Sequence, residues 1–446
     1  MSETETEPKA ADAGLAARQG AHRLVAAVLT QKRALDEAFA DEASRGLLAK
    51  LAPADRGFAR AIATTTLRHI GEIDLIIKRL LDKKLPPRAG LTQVILRTAL
   101  AELFFLDVKA HAVVDLAVEA AGRDSDAMHF KSLVNAILRR ALREAETIRE
   151  GIDGERAALQ PWLWKSWIGI YGEIKTREII RAQFSEPPLD LTVKDERRRD
   201  EWATKLNAQI LPTGTLRLNV SGRIEALEGF DEGAWWVQDA AAALPVKLLG
   251  NVKGRDVLDL CAAPGGKTLS LAARGANVTA LDRSAPRLER LTQNLARLSL
   301  SAEIIVEDAT KFAPDRKWDF ILLDAPCTAT GTARRHPDVL HLKSAADRDR
   351  LAMLQARLLN HSADLLNIGG TLIYCTCSLE PEEGVKQVDT FLEHHPEFVR
   401  VVISPDEIGG MSEAITKAGD LRTLPCHLSD AGGLDGFYAA RLKRVS

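Results

Sequence analysis

From Leu15 to about Glu150 the apolar positions recur at the three- and four-residue steps of amphipathic helices. Val94, Ile95, Thr98, Ala99 and Glu102 follow one such stripe, and Val113, Val114, Ala117 and Val118 another. Breaks at Pro53, at Pro86–Pro87 and in the cluster Gly122–Asp126 divide the stretch into several short helices. An all-α domain is therefore expected over residues 15–150, behind a disordered tail of residues 1–14. The stretch 151–250 has a different texture. It carries six of the seven tryptophans (Trp162, Trp164, Trp167, Trp202, Trp235 and Trp236), the pair Pro187–Pro188 and the charge run KDERRRDE. It reads as a small α/β connector whose tryptophans belong to a core, since single aromatics mostly pack.

After Gly254 short apolar runs alternate with helical patterns. VLDL (257–260), NVTALD (277–282), AEIIVED (302–308), WDFILLD (318–324) and GTLIYCTC (370–377) have the look of buried strands. Strands separated by helices predict a parallel, doubly wound sheet over residues 251–446. The last run, FYAARLKR, follows a glycine-rich stretch from Ala431 to Gly436 and is expected to close a hairpin as an antiparallel edge strand.

Composition changes this picture only locally. With 446 residues, 46% hydrophobic and 27% charged, the chain has ample material for more than one core. The net charge of −2 carries no argument for a polyanionic partner, so any such argument must come from patches. The helical region holds 22 basic against 17 acidic residues, a local balance of +5. Its last helix, HFKSLVNAILRRALR, carries Lys131, Arg139, Arg140 and Arg143 without one acid. Such a run is ordinarily a solvated face, and its other reading is a helix that contacts phosphates. No run of about 18 apolar residues is present to span a bilayer. The first residues are acidic, the reverse of a secretion signal, and five cysteines without framework spacing suit a reducing compartment. A soluble, cytoplasmic protein is expected, and a monomer, because no coiled-coil or repeat pattern appears.

The densest chemical signal is VLDLCAAPGGKTLSLA, a strand running into a turn of small residues and then a helix. In doubly wound sheets a nucleotide-like ligand sits at this strand end. The turn matches neither a Walker A loop, since Cys261 stands where the first glycine is needed, nor GxGxxG. Three successive strands end in an acid, Asp282, Asp308 and Asp324. A single such acid often caps a helix; three together suit a ligand with an adenosine and a positive charge. The fourth and fifth strands deliver Cys327 and Cys377 to the same edge, where a thiolate of lowered pKa is a strong nucleophile. The plainer reading is a pair of small buried hydrophobes. C-x-C spacing at Cys375 and Cys377 without a histidine cluster argues against zinc, so no metal is expected.

Taken together, LDLCAAPGGKT (258–268), LDRS (281–284), EDAT (307–310), LDAPCTATGTARRHPD (323–338), YCTCSLEPEE (374–383) and DGFYAARLKR (435–444) resemble the RNA cytosine-5 methyltransferases of the NOL1/NOP2/Sun (Fmu) type. VQDAAA (237–242) is similar to the motif just upstream of that family's catalytic sheet. The helical region resembles NusB, an RNA-binding fold, and the pairing of the two resembles the RsmB-type 16S rRNA methyltransferases.

The resemblance implies a Rossmann-like catalytic domain that uses S-adenosylmethionine, leaves S-adenosylhomocysteine and acts on 16S rRNA, unassembled or in an early particle. It assigns the segment Cys261, Ala262, Ala263, Pro264, Gly265, Gly266 and Lys267 to the cofactor, Asp282 to its ribose, Asp308 to its adenine end and Asp324 to its methionine part and the target base. It makes Cys377 the nucleophile, Cys327 the residue that helps release product, Asp324 the group that protonates the base and Lys267 a residue that orients Asp324 or the base. Lys131, Arg139, Arg140 and Arg143 become RNA contacts, and Arg334 and Arg335 a grip on a flanking phosphate. Cys375 departs from the pattern, in which alanine or serine is more usual. The same chemistry on tRNA, a non-catalytic RNA-binding assembly factor and a nicotinamide-dependent dehydrogenase are the alternatives weighed against this reading.

Overall fold

The computed structural model describes residues 10–220 and 222–446. The chain divides into two compact units, one of residues up to Lys165 together with His336–Leu342, the other of Ser166–Arg335 and Lys343–Ser446.

The first unit is all helix. Its main helices are Ala10–Leu29, Leu35–Arg45, Pro53–Leu80, Thr92–Phe105, Ala110–Arg123 and Lys131–Arg143. Ala10–Gly14, expected in the tail, belong instead to the first helix, and residues 1–9 lie outside the described residues. The breakers act as their chemistry demands. Pro53 opens a helix, where its missing N–H costs nothing, and Pro86–Pro87 lie in the coil before the next. The apolar stripes meet in a core of Ile73, Ile76, Ile95, Leu96, Leu100, Val113, Val134 and Leu138. Glu102, on the predicted stripe, is buried there because Arg18 reaches it with two hydrogen bonds of 3.1 and 2.6 Å. A buried charge is tolerated when so paired. The segment His336–Leu342 belongs to this unit through Asp338, which accepts the Leu35 N–H at 2.9 Å, and through Leu342, which packs beside Leu24 and Leu67.

The second unit holds two sheets. A four-stranded antiparallel one is built from β1 (Leu189–Val193), β2 (Gln209–Ile210), β3 (Leu216–Leu218) and β4 (Trp235–Val237), in the order β2-β3-β1-β4. Trp202 and Trp235 lie in its core, and Trp167 and Trp236 are buried as well. The stretch 151–250 is not a connector of its own. Trp236 and Leu211 join the same hydrophobic cluster as Val257, Leu271 and Leu291, so one continuous core spans both sheets.

The larger sheet contains β5 (Asp256–Leu260), β6 (Asn277–Asp282), β7 (Glu303–Val306), β8 (Trp318–Asp324), β9 (Leu366–Thr376), β10 (Phe398–Arg400), β11 (Leu421–Thr423) and β12 (Phe437–Arg444). Its order is β10-β12-β9-β8-β5-β6-β7, with β11 also on β12. Strands β5 to β9 are parallel to one another, and β12 runs antiparallel to β9. The chain moves outward from β5 through β6 to β7 and then returns to β8 on the other side of β5. The resulting crevice at the carboxyl ends of β5 and β8 is a topological switch point, where ligands bind in open α/β sheets. Strand β12 is not the expected edge: β9 flanks it on one side and β10 and β11 on the other. Phe437 to Ala440 are accordingly buried throughout, the mark of a strand covered on both faces. Among the described residues no helix is long and apolar enough to cross a membrane.

Candidate active site

The turn after β5 is shaped by residues that tolerate what few others do. Gly265 has φ +109°, and a Cβ there would lie 2.4 Å from a Leu291 methyl, so both backbone angle and space demand glycine. The turn is tied to the next strand end. Asp282, buried at the end of β6, accepts the Ala263 N–H at 3.1 Å and the Ser284 N–H at 2.8 Å. Arg287 donates to the Ala263 carbonyl. The helix Gly266–Ala273 then begins, placing Lys267 in its first turn. Behind the turn, Asp259 accepts from the Thr268 hydroxyl at 2.6 Å through one oxygen, while its Oδ1 is buried without a partner. Burial pushes this carboxyl up to about 7.

Lys267, Asp324, Cys375, Cys377 and Cys327 converge at the ends of β8 and β9. Lys267 Nζ lies 2.7 Å from Asp324 Oδ2 and 4.7 Å from the centre of the Phe437 ring. Burial works against the ammonium, but Asp324 outweighs it and holds Lys267 above its usual value, so the lysine stays charged. Cys375, opposite Asp324 across the strand pair, donates its thiol to Asp324 Oδ1 at 3.6 Å. Burial and then Asp324 push that thiol well up, so it keeps its proton. Cys377 lies just past β9, and its Sγ is 3.5 Å from Cys327 Sγ. The hydrogen bond to Cys377, and then burial, push the Cys327 thiol well up. Two backbone bonds clip the loops together: Ala325 N–H to the Cys375 carbonyl and Gly331 N–H to the Cys377 carbonyl, each 2.9 Å. Gly331 is forced, since a Cβ there would stand 2.0 Å from the Gly436 carbonyl oxygen.

Asp308 lies two residues beyond β7 on the same edge, where its carboxylate takes the Thr310 N–H at 2.9 Å and hydroxyl at 2.8 Å. Those bonds hold it below the usual carboxylate range. Cys261 closes the segment at the end of β5 with φ +61°, and burial pushes its thiol far up.

Arg334 and Arg335 are not placed to grip a phosphate. Arg334 is 1% exposed, donates to the Gly432 carbonyl and lies 4.0 Å from Asp435. Arg335 donates to Asp239 at 2.8 Å and to the Pro188 carbonyl at 3.1 Å, with Asp435 at 3.5 Å and Asp190 at 3.6 Å. Asp190 in turn takes two 2.7 Å bonds from Arg217. Three aspartates and three arginines thus form a buried cluster that seats the loop after Cys327. Burial, and then Asp239, push Asp435 up to about 8. Arginines held against buried carboxylates and carbonyls in this way are turned inward rather than extended into solvent. Removing one member strands the others, which costs about 3–5 kcal/mol. Arg335→Ala is therefore expected to lose stability on that scale in denaturant unfolding, while exposed Arg139→Ala stays within about 0.5 kcal/mol of the parent. Unchanged stability of Arg335→Ala with weakened RNA binding would restore the phosphate reading.

Lys131, Arg139, Arg140 and Arg143 lie on the helix Lys131–Arg143 of the first unit. Lys131, Arg139 and Arg143 are exposed, and Arg140 pairs with Glu144 at 3.0 Å. Asp239, Asp259, Glu383 and Asp435 stand inside the sequence motifs and Asp190 outside them, but nothing in a motif says which of its polar residues turn inward.

The crevice fits S-adenosylmethionine on its own chemistry. A turn of small residues after β5 adjoins Asp282 and Asp308 at the ends of the next two strands, which suits a ligand carrying a ribose and a positive charge. A family model described as 16S rRNA methyltransferase RsmB/F matches residues 246–443, and one described as the NusB family matches 15–143. The ribosomal RNA small subunit methyltransferase B of Pasteurella multocida is 37% identical over 396 residues, covering 85% of this chain and 86% of that protein. The protein of that name from Pseudomonas putida is 35% identical, with coverage of 96% and 98%. Among solved structures, that of PH0851 superimposes with a TM-score of 0.75 at 24% identity, over 98% of this chain and 100% of the other. NSun6 from Pyrococcus horikoshii, with SFG, gives a TM-score of 0.56 at 18% identity over 65% and 99%. Those two likenesses speak for the fold.

Proposed function

This chain belongs to the RsmB/F family of 16S rRNA methyltransferases, and from that premise we propose that it methylates carbon 5 of a cytosine in 16S rRNA through a covalent Cys377–cytosine C6 adduct. The observation that carries the reading is the pair of sulfurs 3.5 Å apart beside the Lys267–Asp324 ion pair.

Carbon 5 of cytosine is too weak a nucleophile to be methylated unaided. Addition of the Cys377 thiolate at C6 pushes electron density onto C5 and divides one hard step into easier ones. S-adenosylmethionine, when bound, supplies the electrophilic methyl group. Ala262, Ala263, Pro264, Gly265 and Gly266 form the wall against which that ligand lies, with Asp282 toward its ribose and Asp308 toward its adenine end. Asp324 faces the base, where a proton relayed through it from the paired Lys267 ammonium to N3 favours the addition. Lys267 and Cys375 each hold one Asp324 oxygen and so fix its orientation. After transfer the C5 proton must leave and the C6–sulfur bond must break. Cys327, a thiol that keeps its proton beside Cys377, suits a relay for that step. The target base must be unstacked to reach these groups, which favours a loop of free or early-particle rRNA. The helix Lys131–Arg143 is the proposed phosphate-contacting face of the NusB-like unit, and the enzyme is proposed to act as a monomer in the cytoplasm.

The test is methyl transfer from labelled S-adenosylmethionine to unmodified 16S rRNA, with digestion of the product to nucleosides. Label in 5-methylcytosine is expected, and S-adenosylhomocysteine, unlike NAD, should raise the melting temperature. Transfer to tRNA alone would overturn the substrate. Neither transfer nor S-adenosylhomocysteine binding would leave a non-catalytic RNA-binding protein as the better reading.

A further inference from the structure

The two cysteine-bearing loops come from strands whose thiols are 50 residues apart in sequence, and neither loop is regular structure at its cysteine. Besides the backbone bonds from Ala325 and Gly331, a buried carboxylate ties them together. Glu383 ends the short turn Pro381–Glu383 and is fully buried. Its side chain accepts the Thr328 N–H at 2.9 Å, the Thr328 hydroxyl, the Ser378 hydroxyl at 2.6 Å and Gln355 Nε2 at 3.1 Å. Thr328 follows Cys327 and Ser378 follows Cys377. The same Gln355 nitrogen also donates to the Pro326 carbonyl at 2.8 Å, just ahead of Cys327. The Glu383 carbonyl takes the hydroxyls of Tyr374 at 2.8 Å and Thr376 at 3.2 Å, which fixes it to the end of β9. Four donors on one carboxylate satisfy every partner, and a carboxylate is the one side chain that can accept from all of them while donating to none.

We propose that Glu383 is a positioning residue for product release: by carrying Thr328 and Ser378 on one carboxylate, it keeps Cys327 Sγ within proton-transfer reach of Cys377 Sγ. The inference rests on the roles proposed above for the two cysteines. In the release step the C5 proton passes to Cys327, and Cys327 passes its own thiol proton to the departing Cys377 sulfur. The C5–H electron pair becomes the C5–C6 double bond, and the C6–sulfur pair leaves on Cys377. The relay needs both sulfurs in register, whereas the initial attack needs only Cys377. Loosening the clamp therefore slows release more than attack. Glu383 also contributes to the high proton affinity of Cys327, in keeping with a thiol that stays loaded until release.

Glu383→Gln keeps the shape, removes the charge and sets an NH2 group against the Thr328 N–H and the other donors that the carboxylate accepts from. Wild type, Cys327→Ala and Glu383→Gln are each mixed with 16S rRNA and S-adenosylmethionine, and both label turnover and protein–RNA adduct on a denaturing gel are followed. Turnover of Glu383→Gln is expected to fall about 10–100-fold, the scale of an ångström-sized misplacement, with adduct above the wild-type level and an unchanged KM for S-adenosylmethionine. Slow turnover without adduct, while S-adenosylhomocysteine still raises the melting temperature, would overturn the inference, as would wild-type turnover. Should the variant fail to bind S-adenosylhomocysteine, Thr328→Val, which removes one arm of the clamp, takes its place, and absence of excess adduct there counts equally against it. If Cys327→Ala accumulates adduct and neither clamp variant does, only the role of Glu383 falls. If wild-type protein labels no RNA, the reaction proposed above falls and takes this inference with it.

Discussion

Cys377→Ala is expected to abolish methyl transfer, with a loss of at least about 10⁴-fold, because removing the nucleophile of a covalent mechanism leaves only binding and orientation. The alanine variant still has the glycine turn, Asp282 and the Lys267–Asp324 pair, none of which depends on the Cys377 sulfur for its hydrogen bonds. S-Adenosylhomocysteine should therefore raise its melting temperature as it does for wild type. No protein–RNA adduct should appear on a denaturing gel. Folding should be little affected, since Cys377 is half-buried and, among the described residues, its side chain hydrogen-bonds only to the Cys327 sulfur. Residual activity within tenfold of wild type would move the nucleophile to another residue. Cys327 and Cys375 are the near thiols, and a Cys375→Ala control separates them.

Cys327→Ala should behave differently. Attack through Cys377 remains possible, so the adduct forms, but its release loses the relay and the enzyme stays attached to its RNA. General acid–base assistance of this kind is worth about 10²–10⁴-fold, so multiple turnover should drop on that scale while a single round of label enters the RNA. The measurement is a denaturing gel of protein and labelled rRNA, on which a slow band should accumulate with Cys327→Ala and vanish in the Cys327→Ala, Cys377→Ala double variant. A Cys327→Ala variant that turns over freely, or is inactive without adduct, would assign product release elsewhere.

Much of the framework was legible because its causes are local. The 3.6-residue stripes around Val94 and Val113 and the prolines at 53, 86 and 87 mark helices and breaks through backbone chemistry that needs no distant partner. The parallel sheet announced itself in short apolar runs separated by helical ones. Boundaries were less legible. Strand β9 begins at Leu366 rather than 370 and ends at Thr376, so Cys377 sits on the loop and not on the strand. The edge position expected for β12 failed because a local run cannot say how many neighbours it will have; β10 and β11 lie beside it only after the chain has folded.

The site shows the same division. Small residues after β5 and acids at strand ends are properties of short segments, and they located the crevice. Arg334 and Arg335 read as surface cations, since a basic pair in a loop has no local partner. Asp190, Asp239 and Asp435 arrive from strands and loops far along the chain and turn the pair inward. Glu383 is the same case in reverse: one carboxylate in an acidic motif that looks solvated until Thr328, Gln355 and Ser378 close over it. By itself, then, the sequence determined which elements form, where a turn of small residues follows β5 and which cysteines arrive at the ends of β8 and β9. Only the tertiary structure decided which charges are buried, which two sulfurs meet and what holds them 3.5 Å apart. Local backbone preference acts within a few residues, whereas burial and pairing depend on partners supplied by the whole fold.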